Sequence, residues 1–145
     1  MLFLSIHPRF VEKILTGEKT IELRRQRPRS VAGDWIAVYA TTPERQLRGI
    51  VQVKEVRVEN VRDLWHHVQN HAAVTKDEYD SYFLGTDQAV GIVLGIPISL
   101  TTPVSLEQLR KAWPSFQPPQ GFRYLDDDQV QFVKSFSPRR KKAAA

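Results

Sequence analysis

The sequence predicts an α+β protein built around a small mixed β-barrel of about five to six strands with short flanking helices. Three observations lead to this prediction. Stretches of high β-propensity lie far apart along the chain, short segments with helical periodicity separate them, and no repeat or internal linker interrupts the order. Strands do not alternate with long helices, which argues against a doubly wound parallel sheet. A chain of 145 residues is long enough for one domain with a buried core.

The first elements along the chain are a strand and a short helix. The opening run MLFLSI is rich in β-forming residues. Pro8 then suits the first turn of a helix, apolar residues follow at helical spacing as far as Leu15, and Gly17 suits its C-terminal cap. We therefore expect a strand, a helix and a turn before residue 20.

The next strand carries charge on one face. In KTIELRR, Ile21 and Leu23 alternate with polar residues, which predicts a strand with its apolar face turned inward. Glu22 and Arg24 then lie together on the opposite face. The stretches WIAVYA (35–40), GIVQVKEVRV (49–58) and AVGIVLGIPISL (89–100) predict further strands, and the uneven alternation of the second indicates a bulge or bend.

The remaining segments favour short helices. Residues 61–68 have helical spacing, and Thr75 with Glu78 three residues later forms a capping box for a second helix that ends by Gly85. Ser105 caps another short helix. The irregular stretch PPQGFRYLD follows as a loop, and a final short helix comes after it.

Composition limits the class of protein. The sequence has no cysteine, which excludes disulfides and cysteine-ligated metal sites. The opening MLFLSIHPRF is too short for a signal sequence or a membrane span, so we expect a cytoplasmic protein with no membrane association. We expect one domain over residues 1–136, a basic and disordered tail over 137–145, and a monomer or weak dimer.

The net charge gives a modest indication of the partner. It is +5 with a pI of 9.7, which favours polyanionic partners. Most of this excess lies in the tail, in Arg139, Arg140, Lys141 and Lys142. The local placement of charge is therefore more informative than the total.

No familiar catalytic motif of nucleophilic, nucleotide-binding or kinase type occurs in the chain. His67 and His71 are four residues apart on a predicted helix, a spacing that can bind a metal. The third ligand would have to be the carboxylate of Asp63, four residues before His67, and no HExxH motif is present, so we interpret them as part of a solvated helix face. No metal and no cofactor are expected.

The stretch LTGEKTIELRRQRPR, residues 15–29, is the strongest candidate for a site. One interpretation is a solvated charge run that contributes little. The other is that the polar strand face lines a cleft, where cations hold phosphate and a carboxylate accepts from a base amino group. Tyr39, Tyr82 or Tyr124 would offer a stacking surface.

The same residues resemble the ASCH family, whose hallmark is G-x-K-x-x-E-x-R. Here the motif is formed by Gly17, Lys19, Glu22 and Arg24. Later segments follow the order of the family: WIAVYATTP, the strand that opens with Gly49, EYDSYFLGTDQAVGIVL and PPQGFRYLD. The resemblance extends from residue 1 to about residue 136.

The resemblance implies a PUA-like β-barrel with a cleft where the lysine, glutamate and arginine of the motif gather. It implies relatives of two kinds, modules that bind RNA or modified bases and small enzymes. The enzymes include an amidohydrolase acting on N(4)-acetylcytidine, and ribonuclease activity is attributed to others. The amidohydrolase subgroup has threonine where this chain has Glu22, and a later catalytic glutamate for which Glu78 is the nearest candidate.

We therefore expect a protein that binds RNA or a nucleotide-like ligand, with a hydrolase acting on a modified nucleoside or on RNA in the same cleft as the alternative. A regulatory or partner-binding protein is a third possibility. The expected ligand-binding residues are Lys19, Glu22, Arg24, Arg25, Tyr39, Thr41 and Tyr124, and Arg27 and Arg29 extend a phosphate-binding edge. In an enzyme, Lys19 would activate water and Glu22 would be the second catalytic group.

Overall fold

A computed structural model describes residues 1–138, which form seven strands and five helices. The strands are β1 (Leu2–Ile6), β2 (Ile21–Arg24), β3 (Trp35–Ala40), β4 (Gln46–Asn60), β5 (Gln88–Leu94), β6 (Ile98–Ser105) and β7 (Phe122–Tyr124). The helices are α1 (Pro8–Thr16), α2 (Val61–Val68), α3 (Lys76–Tyr82), α4 (Leu106–Ala112) and α5 (Asp127–Lys134). The predicted α+β class is confirmed. Most of the predicted tail, including its four basic residues, lies outside the described residues.

The strands form one mixed sheet in the order β2-β5-β4-β3-β1-β7, with β6 also paired to β4. Only the β1–β3 pair among the described strands is parallel. The described sheet curls but does not close into a barrel, because its end strands β2 and β7 do not pair with each other. The number of strands is therefore seven rather than five to six, and the expected barrel is open.

The long strand β4 produces the curvature. Its first half pairs with β3 and β6, and its second half pairs with β5. A register shift between Leu47 and Gly49 lies within the β6 pairing, and one between Val53 and Glu55 lies within the β5 pairing. The second shift confirms the predicted bulge or bend. At Gly49 a Cβ atom would lie 2.8 Å from the carbonyl oxygen of Ile98. Glycine therefore permits the close approach of β6.

Two strands differ from the sequence prediction. The run 89–100 divides into β5 and β6. Gly95 still donates to the Gln52 carbonyl of β4 at 2.7 Å, but Pro97 has no N–H to donate. The strand β7 lies in the predicted loop. It is only three residues long and depends on antiparallel pairing with β1, so local sequence does not indicate it.

Local helix signals agree well with the structure. The residue Gly17 ends α1 with φ of 84°, and its N–H donates to Ile14. Capping boxes begin α3 at Thr75 and α4 at Ser105. The helix α2 ends at Val68, and His71 lies beyond it. The expectation that His67 and His71 share one helix face is therefore wrong.

Buried side chains form three apolar clusters around the sheet. One of them joins the inner face of β2 to α2 and α3 through Leu23, Leu64 and Tyr79. This packing fixes α3 beside β2 and leaves the polar face of β2 turned toward α1. Within residues 1–138, no helix combines the length and apolarity needed to cross a membrane.

Candidate functional site

A cavity of about 290 Å³ lies between the end of β1, the start of α1, the strand β2 and the helix α3. We call it the main cleft. Lys19, Glu22 and Arg24 all line it, as do Phe10 of α1 and Tyr79 of α3. The structure thus places the three motif side chains in one cavity. Glu22 and Arg24 share the polar face of β2, and Lys19 reaches the cavity from the turn before it.

Lys19 is enclosed at the bottom of the main cleft, with 2% of its surface exposed. Its Nζ donates to the Ala72 carbonyl at 2.5 Å and lies 3.7 Å from Glu22 Oε1. The Phe10 ring lies 5.0 Å from the ammonium. Burial lowers the pKa of Lys19 below its ordinary value, and Arg24 adds to this effect while Glu22 opposes it.

Glu22 lies between the two cations of the motif. Its Oε1 accepts a hydrogen bond from the Leu23 backbone N–H at 3.0 Å. Its Oε2 lies 3.5 Å from Arg24 Nη2 but has no hydrogen-bond partner, although the atom is buried. The carboxylate therefore balances the two positive charges and keeps one accepting oxygen free.

Arg24 likewise uses only part of its hydrogen-bonding capacity. Its Nη2 donates to the Ser5 carbonyl at 2.9 Å, whereas its buried Nε has no partner. The Ser5 hydroxyl is also buried and unpartnered. Buried polar atoms without partners are few in folded proteins and costly. Three of them on residues that line one cavity indicate a site able to hydrogen-bond a polar ligand.

The walls of the main cleft are largely apolar and aromatic. Tyr79 packs against Trp65 and Phe83 at ring distances of 4.9 Å and 4.8 Å, and its hydroxyl donates to the Val61 carbonyl at 2.6 Å. Burial raises the pKa of Tyr79 to about 12 and also raises the pKa of Tyr82. Both phenols are therefore neutral at physiological pH. Tyr79 is buried behind the cleft wall, whereas Tyr82 is partly exposed and borders the charged residues.

An ion pair joins the two sides of the main cleft at the protein surface. Arg9 of α1 lies 2.5 Å from Glu78 Oε2 of α3, and both residues line the cavity. The other oxygen, Oε1, accepts from the Thr75 N–H at 3.0 Å. These two interactions lower the pKa of Glu78 to about 2, with the Thr75 hydrogen bond the larger cause. Glu78 is thus ionised and engaged through both oxygens, which suits a helix cap better than a proton relay.

Three of the expected ligand-binding residues lie elsewhere. Tyr39 is buried in the core, where its ring lies 5.2 Å from that of Phe3. Thr41 follows β3 and its N–H donates to the Ile6 carbonyl at 3.0 Å. The Tyr124 hydroxyl accepts a hydrogen bond from the Arg29 backbone N–H, and the Arg29 guanidinium lies 5.0 Å from the centre of the Tyr124 ring. The expectation that Tyr39, Thr41 and Tyr124 line the cleft is therefore corrected.

The expected arginine edge is divided. Arg25 is exposed and donates to the Leu84 carbonyl at 3.3 Å, and it lines a second cavity rather than the main cleft. Arg27 is exposed, and Arg29 is stacked on Tyr124. Of these three arginines, Arg25 alone lines the second cavity, and the phosphate-binding edge at Arg27 and Arg29 stays a prediction.

Several lining residues were not found from the sequence. Ser5, Arg9, Phe10 and Tyr79 belong to elements that sequence patterns assign to the core or to solvent. Arg9 and Glu78 are 69 residues apart, so only the tertiary packing of α1 and α3 shows that they bound the same cleft. The helical positions of Phe10 and Tyr79 gave no separate signal.

Among residues 1–138, no three histidine, cysteine, aspartate or glutamate side chains are placed so that they could hold a metal ion together. His67 Nε2 instead lies 3.4 Å from Glu59 Oε1. His71 lies beyond α2, and its backbone carbonyl accepts from Thr20 and Ile21.

Comparison with known proteins identifies the family of this chain. The sequence model of the ASCH domain family matches residues 4–99 of this chain. A protein from Zymomonas mobilis subsp. mobilis named "ASCH domain-containing ribonuclease" is 30% identical over 134 residues, which cover 92% of this chain and 90% of that protein.

Solved structures share the same fold. The crystal structure of ASCH from Zymomonas mobilis has a TM-score of 0.87 and 30% identity, covering 95% of this chain and 96% of that one. An NMR structure of Rpa0253 from Rhodopseudomonas palustris has a TM-score of 0.54 at 14% identity, covering 93% and 90%, and supports the fold alone. The chain belongs to the ASCH domain family.

Proposed function

We propose that this protein binds single-stranded RNA and that the main cleft takes one base of the strand. The observation that carries the proposal is a pair of buried, unpartnered atoms on two residues that line the main cleft, Glu22 Oε2 and Arg24 Nε. One accepts a hydrogen bond and the other donates one. Such a pair matches a base edge, which offers donors and acceptors side by side.

The size and walls of the main cleft fit a base. Its volume of about 290 Å³ is at the lower end of the range typical of small-ligand sites. Phe10 and Tyr82, both partly exposed, supply aromatic surface beside the polar residues. Stacking on aromatic rings is the usual way in which proteins hold unpaired bases, and it contributes about 1–3 kcal/mol per base.

Lys19 has a different role from the one expected from the sequence. A phosphate would need access to its ammonium, but the side chain is 2% exposed and its Nζ is directed to Ala72 and Glu22. We infer that Lys19 holds the Glu22 carboxylate in place, and that Glu22 and Arg24 contact the base. The relative named a ribonuclease supports RNA as the ligand class.

The proposal is tested by titrating fluorescein-labelled single-stranded RNA into the protein and following fluorescence anisotropy. Glu22→Gln keeps the shape and removes the charge, so affinity should fall by about 1–3 kcal/mol through loss of a charge-assisted hydrogen bond. Glu18→Gln is the matched control, because it removes the same charge from an exposed position in the preceding turn. RNA binding that is absent in the wild type, or equal in both variants, would contradict the proposal.

RNA cleavage in the same cleft is the second candidate. It is favoured by the 30% identical relative named a ribonuclease and by the lowered pKa of Lys19, which brings a proton acceptor closer to neutral pH. Incubation with end-labelled RNA in the presence of a chelator tests it. Cleavage by the wild type that is lost in Lys19→Met supports catalysis, and intact RNA leaves binding as the function.

The amidohydrolase alternative has less support. Glu22 occupies the position where that subgroup has threonine, and Glu78 is held by Thr75 and Arg9. Acetate release from N(4)-acetylcytidine by the wild-type protein would reverse this order of preference.

A further inference from the structure

A second cavity, of about 730 Å³, lies next to the main cleft. We call it the side cavity. It is lined by the last residue of β2 and the two that follow it, by the end of α3 and the turn after it, and by the loop that leads into β7. Arg24 and Tyr82 line both cavities. A ligand group in the side cavity would therefore be a direct neighbour of a group in the main cleft.

The two cavities differ in charge. Glu22 and Glu78 both line the main cleft. Among residues 1–138, the only charged side chains that line the side cavity are those of Arg24 and Arg25. The rest of its lining is neutral and includes Gly85 and Gly121. A cavity with two guanidinium groups and no carboxylate favours an anion.

Both arginines have donors to spare. Arg25 makes one long hydrogen bond, 3.3 Å from its Nη2 to the Leu84 carbonyl, and its side chain is exposed. Arg24 donates to the Ser5 carbonyl through Nη2, and its Nη1 makes no hydrogen bond among residues 1–138. Each guanidinium carries five N–H donors in a planar fork that matches the oxygens of a phosphate.

We propose that the side cavity binds the phosphate that links the cleft-bound nucleotide to its neighbour in the RNA strand. The ligand of this protein is then a nucleotide chain rather than a free nucleoside. The inference rests on the proposed function, because it takes the base to lie in the main cleft. It adds a defined phosphate site at Arg24 and Arg25. In this proposal Arg25 contacts the phosphate, whereas Arg27 and Arg29 do not.

Isothermal titration of the full-length protein tests the proposal. The probes are adenosine and cytidine, their 3′- and 5′-monophosphates, and the trinucleotides of adenylate and cytidylate. In the wild type, at least one monophosphate and its trinucleotide should bind about tenfold more tightly than the nucleoside, as expected for one added charge-assisted contact. Arg25→Ala should bring this ratio close to one and leave the nucleoside affinity unchanged.

Two variants serve as controls. Arg27→Ala removes the same charge from an exposed position outside the side cavity, and it should keep the preference for phosphate. Arg25→Lys keeps the charge but loses the fork, so its ratio should lie between those of the wild type and Arg25→Ala. Thermal unfolding of each variant shows whether it is folded.

The outcomes separate this inference from the proposed function. Nucleosides that bind as tightly as their phosphates, or an Arg25→Ala variant that behaves like Arg27→Ala, would overturn the phosphate site and leave base binding intact. Monophosphates that bind while trinucleotides do not would overturn the assignment to a strand. Failure of every probe, trinucleotides included, would remove the proposed function and this inference together.

Discussion

At the scale of single residues, the site depends on three charges that share one small volume. Lys19 and Glu22 are almost fully buried, and Arg24 keeps 12% of its side chain exposed. Burying a charge is costly unless an opposite charge and hydrogen bonds accompany it. Glu22 supplies that opposite charge to both cations, which explains why a carboxylate lies between them on β2.

Lys19→Met should change how stability depends on pH. The lowered pKa of Lys19 means that the unfolded chain binds more protons than the native state between that pKa and the ordinary lysine value. Stability therefore rises with pH in this window, and Met removes the effect. Urea unfolding should show that the wild type gains stability relative to Lys19→Met as the pH rises toward the ordinary lysine pKa of about 10.4.

Buried tyrosines change the pH dependence of stability in the opposite direction. Their contribution cancels when the wild type is compared with Lys19→Met. The raised pKa values of Tyr39 and Tyr79 cause stability to fall as the unfolded chain loses phenolic protons first. Both variants keep these residues. A difference between wild type and Lys19→Met that is constant or decreases with pH would show that Lys19 is not held in a desolvating site.

The sequence pattern predicted the charged residues of the candidate site but not the position of the tyrosine on β3. Lys19, Glu22 and Arg24 were predictable, because β2 alternates clearly and the motif is specific. The orientation of Tyr39 was not, because every residue of the strand WIAVYA is apolar or aromatic and the pattern has no polar face. Its ring faces Phe3 in the core.

At the scale of elements, α3 forms one wall of the main cleft although it has only seven residues. Isolated helices of this length are unstable in water, so α3 depends on its cap and its packing. Its capping box joins Thr75 and Glu78, and Tyr79 and Phe83 anchor it in the core. The capping box was predictable from the sequence because its two partners are three residues apart.

Thr75→Ala should destabilise the protein by about 1 kcal/mol, because the N–H of Glu78 loses its acceptor. Thr75→Ser keeps the hydroxyl oxygen and should stay close to the wild type. Chemical unfolding with a two-state fit measures both. Equal stability of the three proteins would show that the cap contributes little and that packing alone holds α3.

At the scale of the whole molecule, the bend of β4 gathers strands from distant parts of the chain. The sequence indicated the bend but not the partners. The pairing of β7 with β1 and the division of residues 89–100 into two strands depend on contacts that no local pattern encodes. The cleft is likewise a tertiary feature, since α1, β2 and α3 meet only after the sheet is assembled.

Gly49→Ala should destabilise the fold by about 1–3 kcal/mol through overpacking. The added Cβ would lie 2.8 Å from both the Ile98 carbonyl oxygen and the Leu15 side chain, and a backbone atom cannot yield as a flexible side chain does. Gly121→Ala is a suitable control, because its added Cβ meets no atom within 4 Å. A similar loss in both variants would contradict the close approach of β6 to β4.

The central claim is that RNA enters the cleft between β2 and α3, and an amide NMR titration with unlabelled single-stranded RNA tests it most directly. The account predicts the largest shifts at Leu23, whose N–H is bonded to Glu22, and at Arg24 and Tyr82. The predicted shifts weaken in Glu22→Gln and persist in Glu18→Gln. Shifts that leave β2 and α3 unchanged and gather instead at the depression lined by Arg45 and Arg110 would contradict it.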